Sequence, residues 1–262
     1  MQQDNKLKQF FDSVAEAARP LLLLDYDGTL ADFRVDRFKS KPWAGVRELL
    51  TAIQQQGRTH MAVISGRPPR EVSSLLALET PIEIWGLHGA ERLYPDGRHE
   101  REELPAATLA HLEALRQQLR RDAFGGLFED KPNAAVMHWR GQPPQKARRI
   151  AERTLELFEP LGRMEGLELL RFEAGLELRA GRDKGAAVYT LIEEANHSQP
   201  VCYLGDDITD EAAFQVVNNA RSPHLSVLMS RKKRETTADV WLRPPADLRK
   251  FLGRWLDARK GG

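Results

Sequence analysis

Short apolar runs alternate with segments of helical periodicity at both ends of the chain. The runs Leu21–Leu24 and Met61–Ile64 lie early, and Val201–Leu204 and Leu225–Met229 lie late. Helical spacing predicts an opening amphipathic helix that ends near Pro20. It also predicts helices over residues 43–56, 70–77, 184–196, 210–217 and 245–256. Strands that alternate with helices in this way indicate a parallel sheet whose strands are buried on both faces.

The middle of the chain has a different pattern. Two long helical patterns, over 103–121 and 144–160, are interleaved with strand-like runs at 134–139, 167–172 and 176–179. This order is typical of an α+β insertion rather than of more parallel sheet. We therefore expect a core formed by residues 1–102 and 181–262, with an inserted domain over residues 103–180.

Composition narrows the class of protein. The chain has 262 residues, 39 basic and 38 acidic, for a formal charge of +1, so we expect no nucleic-acid or membrane partner. The single cysteine, Cys202, and the absence of a hydrophobic signal core near the N-terminus indicate the cytoplasm. The basic run Arg231–Arg234 is short, and we predict that it forms a solvated loop face.

Polar residues follow the predicted strands at four places. Asp25 and Asp27 follow the first strand, and Ser65-Gly66-Arg67 follows the second. Lys184 begins a helix, and Gly205–Glu211 contains four acidic residues after a late strand. In parallel α/β sheets ligands bind beyond the carboxyl ends of the strands, so these side chains are expected to converge.

Ordinary structural roles explain only part of this pattern. Asp and Glu are common as helix caps, which accounts for about half of the acids in 205–211, and Asp183 is a simple electrostatic partner for Lys184. However, carboxylates as close as Asp25 and Asp27 repel each other unless a cation neutralises them. Together the four segments indicate a nucleophile, an acid/base, a magnesium cage and a phosphate clamp.

The four segments together resemble the haloacid dehalogenase superfamily of phosphatases. Asp25–Thr29 matches its first motif, Ser65 its second and Lys184 its third, and Gly205-Asp206-Asp207 with Asp210 matches its fourth. The resemblance implies an α/β fold with a Rossmann-like parallel-sheet core. It also implies that the inserted α+β domain is a cap.

Finer features resemble the trehalose-6-phosphate phosphatases within that superfamily. They are Gly86–Glu91, Glu129-Asp130-Lys131 followed by His138-Trp139-Arg140, and Glu177-Leu178-Arg179 before Asp183-Lys184-Gly185. The chain departs from the family pattern at Trp139, where a tyrosine is usual, and in the unusually basic segment 230–237. Neither departure touches the residues that transfer the phosphoryl group.

The family resemblance also assigns roles to individual residues. It implies that Asp25 is the nucleophile that forms an aspartyl-phosphate and that Asp27 is the general acid and base. It implies that Mg²⁺ is held by Asp25, the Asp27 carbonyl and Asp206, with Asp207 and Asp210 behind them. The phosphate-binding residues would be Ser65, Gly66 and Lys184. The residues that contact the substrate would be Arg67, His88, Glu129, Lys131 and Glu177.

The expected function is therefore a magnesium-dependent phosphatase that hydrolyses trehalose 6-phosphate. Two alternatives remain open: a capped phosphatase for another sugar phosphate, such as a sucrose or glycosylglycerate phosphate, and a catalytically inactive module that binds phosphate for regulation. In each case the partner is a small-molecule sugar phosphate. We expect the protein to be a monomer.

Overall fold

A computed structural model of the chain describes residues 2–34, 36–122, 124–172 and 174–260. It divides into two compact units, residues 1–101 with 182–262 and residues 102–181. In chain order the helices and strands are α1 (Gln2–Glu16), β1 (Leu21–Leu24), α2 (Val46–Gln55), β2 (His60–Ile64), α3 (Pro69–Leu76), β3 (Glu83–Gly86), β4 (Glu91–Leu93), β5 (His99–Arg101), α4 (Ala106–Arg121), β6 (Phe128–Lys131), β7 (Ala134–His138), α5 (Pro144–Phe158), β8 (Leu167–Phe172), β9 (Gly175–Ala180), α6 (Lys184–Glu194), β10 (Val201–Gly205), α7 (Glu211–Asn218), β11 (His224–Met229), β12 (Val240–Leu242) and α8 (Ala246–Ala258).

The first unit is built on an eight-stranded sheet in the order β12-β11-β10-β1-β2-β3-β4-β5. The six strands from β12 to β3 are parallel, and β4 and β5 extend the sheet as antiparallel strands. The predicted α/β fold with a parallel-sheet core is confirmed.

Strand β1 shows why its sequence is a continuous apolar run. Leu22 and Leu24 belong to the hydrophobic cluster that includes Trp255 of α8, whereas Leu21 and Leu23 belong to the cluster that includes Val188 of α6. Because successive side chains in a strand point to opposite faces, both sets must be apolar when helices cover both faces.

The structure corrects the predicted elements at their ends and at the sheet edges. Helix α2 begins at Val46 rather than at residue 43, because Gly45 has a left-handed φ of 83°. Helix α1 ends at Glu16, before Pro20. The sequence reasoning missed β3, β4, β5, β6 and β12, which have only three or four residues each, too few to show a clear pattern of alternating side chains.

The second unit has a four-stranded antiparallel sheet in the order β6-β7-β9-β8. One face carries Ala135, Met137 and Leu178, which form a hydrophobic cluster with Leu112 of α4 and Ile150 of α5. The predicted α+β character of the insertion is therefore confirmed. The opposite face carries polar side chains, described below.

Within the described part of the chain, none of the helices is both long enough and apolar enough to cross a membrane.

Candidate active site

Three adjacent parallel strands deliver the candidate catalytic residues to one edge of the sheet. Strand β1 pairs with β2 on one side and with β10 on the other. Asp25, Ser65 and Asp206 each follow the last residue of one of these strands. The parallel direction places their side chains at the same end of the sheet, as the sequence predicted.

Lys184 connects two of the predicted motifs. Its Nζ donates to Asp25 Oδ1 at 2.7 Å and to Asp210 Oδ1 at 2.7 Å, and its side chain is buried. Asp183, considered above as its partner, instead accepts a hydrogen bond from the Ala186 N–H as the cap of α6. Burial alone would lower the pKa of Lys184, but Asp210 and Asp25 outweigh burial and raise it.

Asp25, Asp206 and Asp210 form a cluster of carboxylates. One oxygen of each lies within 4.8 Å of the others. Burial raises the pKa of Asp25 to about 7, with Asp210 adding to the rise and Lys184 opposing it. Burial, followed by the charges of Asp25 and Asp210, also raises the pKa of Asp206 well above its ordinary value.

One buried oxygen in this cluster lacks a partner. Among the described residues none forms a hydrogen bond with Asp25 Oδ2. A buried carboxylate oxygen without a partner is costly, and hard cations such as Mg²⁺ prefer carboxylate and carbonyl oxygens. The donor set, the mutual repulsion and the unpaired oxygen all fit a divalent cation held by Asp25 and Asp206.

Gly28 makes room for this arrangement. A Cβ atom at Gly28 would lie 1.9 Å from Asp206 Oδ2, and its φ is +80°. Only glycine provides both the left-handed backbone and the close approach of the loop after β1 to the Asp206 carboxylate.

Asp207 and Asp210 shape the loop after β10. The backbone N–H groups of Asp206 and Asp207 both donate to Asp210 Oδ2 at 2.9 Å, and the Tyr203 hydroxyl donates to Asp210 Oδ1 at 2.5 Å. Asp207 accepts a hydrogen bond from the Ile208 N–H at 2.7 Å. Asp207 and Asp210 therefore act as caps, as the sequence allowed, and Asp210 also fixes the position of Asp206.

Residues 231–233 of the basic run are exposed, as predicted, but Arg234 is half-buried and supports the same loop. Its Nη2 donates to the Asp207 carbonyl at 2.8 Å, its Nε to the Asp206 carbonyl at 3.4 Å, and its Nη1 to Glu211. Arg231, by contrast, is exposed and pairs with Asp32 at 3.2 Å. Charge density alone could not distinguish these two arginines, because their partners lie more than 20 residues away.

Asp27, the predicted acid and base, is paired with Arg67. Arg67 Nε donates to Asp27 Oδ2 and Nη2 to Asp27 Oδ1, both at 2.6 Å. The remaining nitrogen, Nη1, donates to Glu71 and to the Arg37 carbonyl. That Arg67 contacts substrate stays a prediction; its guanidinium contacts Asp27, the predicted acid and base, and also Glu71, which the sequence reasoning did not single out.

Ser65 and Gly66, which follow β2, lie against His88, which follows β3. Ser65 is buried, and its carbonyl accepts a hydrogen bond from the His88 N–H at 2.9 Å. A Cβ atom at Gly66 would lie 2.6 Å from His88 Nε2, so the imidazole packs directly against the glycine. His88 itself has a left-handed φ of 60°, a strained conformation that is found more often at functional sites.

In the second unit, the three predicted sugar-contacting residues share one face of the sheet. Glu129 pairs with Val136, and Val136 pairs with Glu177, so Glu129 and Glu177 point to the same side. Lys131, two residues from Glu129, lies on that side too, and its Nζ is 3.4 Å from Glu177 Oε2. The structure thus gathers all three residues on the polar face.

Two further residues of this polar face were missed as candidates. His138 Nε2 lies 2.9 Å from Glu129 Oε2. Arg179 is 3% exposed and donates to Glu168 at 2.5 Å, while its Nε has no hydrogen-bond partner among the residues described. Both belong to segments in which the family resemblance was recognised, which was the available signal.

Comparisons with known sequences agree with the motifs. A family model described as Trehalose-phosphatase matches residues 23–244. A trehalose-phosphate phosphatase of Mycobacterium marinum is 32% identical over 253 residues, which cover 90% of this chain and 61% of that protein. One of Mycolicibacterium paratuberculosis is 30% identical, covering 93% and 63%. The chain thus spans about three fifths of the length of these relatives.

Solved structures share the fold. The C-terminal domain of Candida albicans trehalose-6-phosphate phosphatase has a TM-score of 0.81 at 20% identity, with 96% of each chain covered. The C-terminal domain of a C. albicans trehalose synthase regulatory protein has a TM-score of 0.71 at 12% identity, covering 94% and 97%. A haloacid dehalogenase-like hydrolase of B. subtilis has a TM-score of 0.61 at 19% identity, covering 89% and 98%. These structures establish the haloacid dehalogenase fold. Because a family model matches most of its length, the chain belongs to the trehalose-phosphatase family.

Proposed function

We propose that this protein hydrolyses trehalose 6-phosphate to trehalose and phosphate through an aspartyl-phosphate intermediate, with Mg²⁺ as cofactor. The observation that carries the proposal is the environment of Asp25. Lys184 holds one oxygen of its carboxylate at 2.7 Å, the other oxygen is buried with no hydrogen-bond partner among the described residues, and Asp206 belongs to the same carboxylate cluster. A fixed carboxylate at a strand end, between a lysine and a cation site, suits a nucleophile for phosphoryl transfer.

The reaction follows from the roles of two carboxylates. Asp25 attacks the phosphorus in line, the bond to the sugar oxygen breaks, and Asp27 gives its proton to that oxygen. Asp27 then takes a proton from the water that attacks the acyl-phosphate, which releases phosphate and regenerates Asp25. Lys184 and Ser65 bind the phosphoryl oxygens in this scheme. When bound by Asp25, Asp206 and the Asp27 carbonyl, Mg²⁺ would neutralise the phosphoryl charge.

The unit of residues 102–181 is proposed to be the specificity cap. Its polar face carries Glu129, Lys131 and Glu177, which offer acceptors and a donor to sugar hydroxyls. A site built to hydrogen-bond hydroxyls discriminates strongly, because an analogue without them leaves buried polar groups unpaired. This supports a disaccharide phosphate as the substrate.

Phosphate release from a panel of sugar phosphates, with and without Mg²⁺, tests this function. We expect trehalose 6-phosphate to be the best substrate, no release in excess chelator, restoration by Mg²⁺ and poor support by Ca²⁺. Asp25→Asn should abolish turnover. A preference for sucrose or glycosylglycerate phosphate would replace the proposed substrate, and full activity in chelator would refute the cofactor.

A regulatory module is the second candidate, favoured by the shared fold of the C. albicans regulatory protein. The contacts at the strand ends argue for the enzyme. Lys184 contacts Asp25 and Asp210 together, and Asp206 joins the same cluster, which phosphate binding alone does not require. Phosphate binding without turnover on every substrate of the panel would establish the regulatory alternative.

A further inference from the structure

Two side chains hold the loop that carries Asp206. The backbone N–H groups of Asp206 and Asp207 donate to Asp210 Oδ2, each at 2.9 Å. The backbone carbonyls of the same two residues accept hydrogen bonds from Arg234, at 3.4 Å from Nε and at 2.8 Å from Nη2. Asp210 therefore fixes the N–H groups of this loop, and Arg234 fixes its carbonyls.

The guanidinium of Arg234 is itself held in place by Glu211. Its Nη1 donates to Glu211 Oε1 and, at 2.8 Å, to the Glu235 carbonyl. Glu211 also accepts hydrogen bonds at 2.8 Å from the hydroxyl groups of Thr236 and Thr237 and from the Thr237 N–H. The side chains of Arg234 and Glu211 are 29% and 18% exposed, so both lie largely out of water. Arg234 therefore presents a fixed guanidinium to the loop.

The position of Asp206 has little tolerance. Its carboxylate packs so closely against Gly28 that a Cβ atom there would lie 1.9 Å from Oδ2. One oxygen of Asp206 also lies within 4.8 Å of oxygens of Asp25 and Asp210 in the carboxylate cluster. Loss of a hydrogen-bond partner behind a metal-ligating residue commonly lowers metal affinity about 10- to 100-fold. A shift of the main chain at residue 206 would therefore disturb the candidate cation site directly.

We infer that Arg234 is a positioning residue that sets the affinity for Mg²⁺ by holding the main chain of the loop that carries Asp206. This inference rests on the Mg²⁺ cofactor of the proposed function. It gives a role to the basic segment 230–237, in which the chain departs from the family pattern. A merely structural alternative is that Arg234 only anchors this segment to α7 through Glu211. That alternative predicts lower stability with no change in the affinity for Mg²⁺.

Arg234→Met tests the inference in protein without substrate. We expect the Kd for Mg²⁺, measured by isothermal titration calorimetry after metal has been removed with chelator, to rise about tenfold. Lys232→Met is the control for charge, because Lys232 is an exposed cation of the same run. Asn218→Ala is the control for anchoring, because Asn218 Nδ2 donates to the Thr237 carbonyl at 2.7 Å and so holds the same segment to α7. We expect both controls to keep the wild-type Kd.

Arg234→Lys separates geometry from charge, and it also serves if Arg234→Met fails to fold. Lysine keeps the positive charge, but a single ammonium cannot match the fork that reaches two carbonyls and Glu211 together. We therefore expect Arg234→Lys to bind Mg²⁺ about as weakly as Arg234→Met. Wild-type affinity in either Arg234 variant, or an equal loss of affinity in Asn218→Ala, would overturn the inference.

Mg²⁺ binding is measured without turnover, which separates this inference from the proposed function. Wild-type protein that binds Mg²⁺ but releases no phosphate from any sugar phosphate would refute the function and leave the inference intact. Wild-type affinity in Arg234→Met, together with turnover of trehalose 6-phosphate, would refute the inference alone. Wild-type protein that binds no Mg²⁺ would overturn both the inference and the proposed cofactor.

Discussion

Replacing Gly28 by alanine tests whether the cation site depends on close packing between two loops. A Cβ atom there would lie 1.9 Å from Asp206 Oδ2, roughly 1.5 Å inside ordinary contact distance. Since Gly28 also has a φ of +80°, the loop cannot relax by adopting a common backbone conformation. Asp206, and not the backbone, is therefore expected to move.

The expected magnitude follows from that displacement. The left-handed backbone costs alanine about 1–2 kcal/mol of folding stability. A displacement of about 1 Å in an active site costs on the order of 100-fold in rate. We therefore expect Gly28→Ala to lower kcat/KM about 100-fold and to raise the Mg²⁺ concentration needed for half-maximal activity.

Gly97→Ala is the matched control. Gly97 has a φ of +88°, but a Cβ atom there would meet nothing within 4 Å. Both variants should lose similar stability in urea denaturation, whereas only Gly28→Ala should lose activity in a Mg²⁺ titration of phosphate release. Activity of Gly28→Ala within about threefold of Gly97→Ala would refute the packing argument.

Three further predictions concern stability and specificity. The pKa of Asp25 is raised to about 7 by burial, so the stability of the metal-free protein should fall as pH rises from about 4 to 7, and Asp25→Asn should raise the melting temperature of the metal-free protein in chelator at about pH 8. A melting temperature unchanged by Asp25→Asn would contradict this. Arg259, 2% exposed, donates to five main-chain carbonyls, so Arg259→Met should lower the free energy of unfolding in urea by about 3 kcal/mol, and the exposed Lys260→Met should change it little. Equal costs for the two variants would contradict this. Lys131→Ala should lower kcat/KM for trehalose 6-phosphate about tenfold but leave kcat/KM for p-nitrophenyl phosphate nearly unchanged. Lys146→Ala is the control, because Lys146 is exposed. Parallel losses on both substrates would assign Lys131 a structural role.

Arg259 illustrates an interaction that no local pattern predicts. Its Nη1 donates to the Val14, Ala15 and Ala17 carbonyls and its Nη2 to the Ala18 and Arg58 carbonyls. It thereby satisfies carbonyls at the end of α1, whose last turn has no basic residue of its own. More than 240 residues separate Arg259 from these carbonyls, which lie in α1 and in the segment after it. Sequence periodicity therefore could not connect them.

The short strands at the sheet edges were missed for a different reason. Strand β12 has three residues, and β6 reads Phe-Glu-Asp-Lys, with polar side chains in the strand itself. The sequence reasoning treated this segment as a recognition motif, not as an edge strand. Hydrogen bonds to β7 make it a strand, and such pairing is a property of the folded sheet.

The amino-acid sequence by itself determined the parallel core, the α+β insertion and the family. Strands buried on both faces must be apolar throughout, as in Leu21–Leu24, and their carboxyl ends must meet at one edge. Motif order along the chain therefore already implied that Asp25, Ser65 and Asp206 converge. Side-chain chemistry at those positions is local information, which a sequence carries directly.

Only the tertiary structure decided which groups neutralise one another. Lys184 pairs with Asp25 and Asp210 rather than with its neighbour Asp183, and Arg67 pairs with Asp27 and Glu71. Each of these ion pairs is selected by burial, since a desolvated charge must take the partner that packing brings within about 3 Å. Packing brings together residues distant in the chain, so charge pairing was the part of the site that sequence spacing could not specify.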